Sequence, residues 1–216
     1  MNKIFSALAL ATAVAPFTAQ AASVDLTVTG TVIPTACIPA FASGTNVDLG
    51  RIYSAALDPI AQNDLPPRDI TLKVACDAPA AVEIAVTDNR GATKVPGLAF
   101  NGRLNDDLYY GLGSTQGIGI GGFGLLTGQP NTDGNAQTLL ARSPADPAWR
   151  VPVTGLVANA PISYSWGPSA VTGPAAARLH TFPMKVAAVI RATSELPPTT
   201  SDFPLDGSVT FDLFYL

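Results

Sequence analysis

The sequence predicts an all-β protein, a sandwich or barrel of short strands. Short runs alternate apolar and polar side chains with period two, the mark of a half-buried strand. Glycine and proline, 19 of each, punctuate the gaps between those runs. No stretch sustains the periodicity of an amphipathic helix.

The elements follow in chain order. Lys3, the apolar run Ile4 to Ala15 and Ala19-Gln20-Ala21 read as a positive flank, a hydrophobic segment and a small-x-small cleavage site. Residues 1–21 are therefore an expected export signal, and one domain is expected over 22–216. Neither that run nor a later one reaches the ~18 to 20 apolar residues of a membrane span, so an integral membrane protein is not expected. Val24 to Ile33 sets Val24, Leu26 and Val28 against Asp25, Thr27 and Thr29. Strand-like runs continue at 47–52, 70–75, 82–87, 117–127, 138–141, 162–166 and 182–192. Residues 88–113 and 128–160, rich in Gly, Pro, Asn and Asp, read as long surface loops inserted between strands. No repeat of fixed period is present.

In the last run, Gly207 to Leu216, Val209, Phe211, Leu213 and Tyr215 share one face, and Thr210, Asp212 and Phe214 the other. No turn or partner strand follows it, which suggests a sheet that another element completes.

Charge and composition exclude several function classes. Without the signal, 11 Lys+Arg stand against 16 Asp+Glu, a net charge of −5 that does not suit nucleic acid. Two cysteines in an exported chain argue for a Cys37–Cys76 disulfide, which restricts the unfolded chain by ~4 kcal/mol in the loop-entropy model. Gly119-Ile-Gly-Gly-Phe-Gly124 matches a dinucleotide fingerprint by letter but lacks the helix and the acidic residue, so it reads as glycine-rich strand and turn, and no cofactor is expected. His180, the sole histidine, excludes histidine metal clusters and reads as a surface residue where loop meets strand. Asp106-Asp107 and the 131–135 cluster read as polar turns rather than a metal site. No catalytic residue is assigned, and an enzyme is not expected. Tyr109, Tyr110 and Trp149 are the aromatic residues that could stack against a sugar.

Val28-Thr-Gly-Thr-Val-Ile-Pro-Thr-Ala-Cys37, Val47-Asp-Leu-Gly50, Ile70 to Cys76, Gly117-Ile-Gly-Ile120, Phe182 to Ala192 and the ending with penultimate Tyr215 come in the order of pilin subunits of bacterial chaperone–usher fimbriae. The chain resembles that family, and within it the fimbrial-like proteins of unknown function of Gram-negative bacteria. The resemblance implies an immunoglobulin-like β-sandwich of pilin type lacking its final strand. It implies a periplasmic chaperone, an outer-membrane usher and neighbouring fibre subunits as partners, with passage through the periplasm to a cell-surface fimbrium. Val209, Phe211, Leu213 and Tyr215 would line the groove that a donor strand fills, and the Leu216 carboxylate would meet the chaperone's basic residues. Val24, Leu26 and Val28 read either as a donor segment or as the domain's own first strand. Phe203 stands where many pilins have glycine, and the nearest glycine is Gly207. The alternative function is an adhesin domain binding a host glycan or receptor through the two long loops.

Overall fold

The computed structural model describes residues 26–32, 35–198 and 202–216. The expected signal, 1–21, and Val24 lie outside the described residues. The chain divides into two units, Met1–Ile33 and Pro34–Leu216. In the first, residues 26–32 form no strand, and Leu26 and Val28 are exposed. The strand expected at 24–33 is thus absent from 26–32. Alternation alone does not hold a strand when no ladder partner satisfies its backbone.

The second unit is an antiparallel β-sandwich, and no described residue lies in an α-helix. Its main strands are β1 (Cys37–Phe41), β2 (Arg68–Ala80), β3 (Val82–Asp88), β4 (Tyr110–Gly111) and β5 (Gly121–Thr127). They continue with β6 (Thr138–Ser143), β7 (Asp146–Arg150), β8 (Ser163–Gly167), β9 (Ala177–Ile190) and β10 (Val209–Tyr215). One sheet runs β1-β2-β9-β5-β4, with the short strands Asn63–Asp64 and Asn131–Thr132 also paired to β9. The other runs β7-β6-β8-β3-β10.

Period-two burial builds the core between the sheets. β2 sends in Ile70, Leu72, Val74 and Cys76, and β3 sends in Val82, Ile84 and Val86. They meet Phe182, Met184 and Val186 of β9 and Tyr164 and Trp166 of β8. Burying each such side chain contributes about 1.5–3 kcal/mol.

Two expectations change. The 47–52 run is not a strand: Val47 and Leu49 pack against the core, but no ladder forms over these residues. The inserted segments are more than surface loops. Val95, Leu98, Phe100, Leu108 and Tyr109 from one, with Leu156 and Ala158 from the other, build a second apolar cluster against Val189 of β9. Glycines in β5 make room for it. A side chain at Gly122 would meet the Tyr109 ring at 2.6 Å, and one at Gly124 would meet Phe100 at 2.9 Å. Rings packed onto bare backbone at 122 and 124, and the Thr93 and Val189 carbonyls packed close at 119 and 121, account for the glycine-rich run 119–124.

Candidate functional site: an open edge and its slot

β10 pairs with β3 on one side and with no strand on the other among the described residues. Asn89 N–H donates to Ser208 O and Leu216 N–H donates to Ala81 O, which sets the phase of the ladder. Even-numbered residues of β10 turn their backbone groups to β3. The N–H and C=O of Val209, Phe211, Leu213 and Tyr215 therefore face the open edge. The side chains of Val209, Phe211 and Leu213 are half-buried against the core, while Tyr215 and Leu216 are half exposed.

A groove of about 920 Å³ runs along the first part of this edge, where Val209 and Phe211 line it, whereas Leu213, Tyr215 and Leu216, expected at the groove, lie outside its lining. Core residues Ile70, Leu125 and Val186 contribute to its lining. Phe41, Val47, Leu49 and Ile52 line it from one part of the chain, and Phe203, Leu205, Val209 and Phe211 from another. The run at 47–52, which forms no ladder, borders the slot. Two contacts join β1 to β10. Cys37 N–H donates to the Tyr215 hydroxyl at 2.7 Å, and the Phe41 and Phe211 rings meet edge to face at 5.2 Å. β1 carries Pro39, which has no N–H to offer a further strand.

The chain leading into β10 is shaped by close packing. A side chain at Gly207 would sit 2.7 Å from the Phe123 ring. Phe203 packs with Ile120, Ile190 and Leu196. Arg90 reaches this segment through Asp206, and Asn89 through Ser208 and Thr210. Sequence reasoning missed Asn89 and Arg90. Their setting in Asp88-Asn-Arg-Gly91 signals only a turn, since the partners are more than a hundred residues away.

The remaining candidates fall in different places. Cys37 and Cys76 form the disulfide, joining β1 to β2. Tyr109 and Tyr110 do not reach the surface, which corrects their reading as loop contacts. The Tyr109 hydroxyl lies 2.7 Å from Val95 O and 2.6 Å from Asp106 Oδ1, and Tyr110 donates to Val157 O at 2.9 Å. Burial pushes both phenols up. The Tyr109 hydroxyl, then the Gly97 N–H, hold the Asp106 carboxyl below its ordinary range. Trp149 is partly exposed on β7, with the Arg142 guanidinium 4.5 Å from its ring centre. Arg142 also pairs with Glu83 at 2.6 Å.

His180 is fully buried in β9, not on the surface. Trp166 Nε1–H donates to its Nδ1 at 2.8 Å, so Nδ1 is the acceptor and Nε2 carries the proton toward Ala80 O at 3.0 Å. That arrangement ties the two sheets together and fixes a neutral imidazole. Burial lowers its pKa.

Among the described residues no group of three His, Cys, Asp or Glu could hold a metal ion, and no helix is long and apolar enough to cross a membrane.

The model of a family described as "Protein of unknown function (DUF1120)" matches residues 26–105. Protein GltF of Escherichia coli (strain K12) is 27% identical over 257 residues, covering all of this chain and 98% of that protein. Among solved structures, the P pilus rod subunit PapA is similar at 15% identity and a TM-score of 0.34, covering 80% of this chain and 92% of that one.

Proposed function

We propose that this chain is a structural or accessory subunit of a chaperone–usher surface fibre, exported to the periplasm and completed by a strand from another polypeptide. One observation carries the reading: β10 has a free backbone edge beside a slot of mixed polar and apolar lining whose floor is made by the core residues Ile70, Leu125 and Val186. An added strand would find N–H and C=O partners on Val209, Phe211 and Leu213 and would send alternate side chains into the slot. Each buried aliphatic side chain would contribute about 1.5–3 kcal/mol. A periplasmic chaperone would supply such a strand first, and the next subunit would replace it at the usher. The free edge would otherwise template aggregation. Leu26 and Val28, exposed and alternating, suit a donor segment. This role involves no turnover.

The adhesin reading is less favoured, because Tyr109 and Tyr110 are buried and only Trp149 of the three aromatic candidates is partly exposed. The test deletes residues 22–29. Fibre incorporation is expected to fail while the sandwich still folds. A chain that purifies without a chaperone as a stable monomer, with slow amide exchange at Val209, Phe211 and Leu213, would overturn the proposal.

A further inference from the structure

Besides the 47–52 run, a second wall of the slot belongs to no strand. Residues 202–208 border the groove just before β10 and join neither sheet. Two backbone hydrogen bonds hold this lip: Asp206 N–H to Leu112 O and Asn89 N–H to Ser208 O, each 3.0 Å. The Arg90 guanidinium adds a fork, Nε to Asp206 Oδ2 at 2.8 Å and Nη2 to Oδ1 at 3.1 Å. Asn89 Nδ2 lies 3.0 Å from both Ser208 Oγ and Thr210 Oγ1. Glycines let these parts approach. A side chain at Gly111 would meet Arg90 O at 2.1 Å, and one at Gly113, where φ is +91°, would meet Asp206 at 3.1 Å.

We propose that Arg90 is a positioning residue for the slot, fixing the Asp206 lip so that its wall stays in line with the free edge of β10. The inference rests on the reading of the slot as a strand acceptor. Both side chains are substantially exposed, at 40% and 55%, so the pair adds little to global stability. Its geometry is another matter. A bidentate arginine–carboxylate pair fixes direction as well as distance, which a single cationic point does not. A lip free to swing would have to be ordered each time a strand entered, at a cost to affinity.

The test uses the full mature chain and a labelled synthetic peptide of residues 22–33. Arg90→Ala should weaken peptide uptake about tenfold while the thermal midpoint stays within about 2 °C. Amide exchange at residues 206–209 should quicken in the peptide-free variant. The charge-swapped pair R90D/D206R should restore both readouts toward wild type. Unchanged exchange and uptake in Arg90→Ala would overturn the inference, as would a large fall in midpoint, which would make Arg90 a general stability residue. If the wild-type chain takes up no peptide, the strand-acceptor reading fails, and amide exchange alone decides the role of Arg90.

Discussion

His180 carries a pH dependence that its hydrogen bonds define. With Trp166 donating to Nδ1 and Nε2 facing Ala80 O, a second ring proton would point at another donor. Burial lowers the pKa from its ordinary 6.5, opposed by the Ala80 and Ala177 carbonyls and by Asp133. A native pKa below the unfolded one means that the unfolded chain binds the extra proton first. The stabilisation is therefore full above pH 6.5 and is lost as the pH falls from there toward the lowered native value. The slope is at most about 1.4 kcal/mol per pH unit. Urea unfolding between pH 7.5 and 5 should show this decline, and His180→Gln should flatten it. Asp106 acts in a separate window. Its native pKa lies below its ordinary 3.8, so its contribution is present above that value and lost further into acid. An unchanged slope in His180→Gln would show that another group titrates there.

At the scale of one element, β10 makes opposite demands on neighbouring residues. The Thr210 N–H points to β3, whereas the Val209 N–H faces the open edge at the start of the strand. Proline lacks that donor and is tolerated where a strand begins or faces solvent. Thr210→Pro should cost about 2 kcal/mol or more by urea unfolding, because it removes a ladder bond and strands a Thr87 acceptor. Val209→Pro should stay within about 1 kcal/mol of wild type yet take up an added strand several-fold more weakly. Equal losses would refute the phase assigned to this edge. The alternation of Val209 to Tyr215 was legible in the sequence, as were β2 and β3, because one face of each packs on the core. β1 and β7 were not, since Pro39 and Pro147 argue against a strand unless it is known to lie at an edge. The 47–52 run alternates as a strand does, yet among the described residues no strand pairs with it, and alternation alone does not make a ladder. The burial of Tyr109 and Tyr110 depends on Gly122 and on residues near 156, contacts that no local pattern encodes.

Among the described residues of the second unit, the main strand orders of the two sheets end in four strands, and three are guarded. β7 has Pro147 and the Asp146–Arg150 ion pair. β1 has Pro39, and its Cys37 N–H is taken by Tyr215. β4 is two residues long, with its Gly111 N–H bound to Asp88 and the Arg90 backbone packed close. β10 has seven residues, no proline, no basic side chain and a free ladder face. Guarding three edges and leaving the fourth beside a groove that reaches core residues directs any strand addition to one place. The geometry also fixes how an added strand must be phased. An Asp-Gly turn and a seven-residue alternating apolar strand appended after Leu216 would fold back antiparallel along β10. With its apolar positions facing the slot, it should raise the thermal midpoint by about 5 °C or more and abolish uptake of the 22–33 peptide. Shifting the same appended sequence by one residue sends every apolar side chain to solvent, so that version should leave the midpoint and the uptake near wild type. Equal stabilisation by both phases would mean that added hydrophobicity, not completion of the sheet, is responsible, and the slot would lose its role as a strand acceptor.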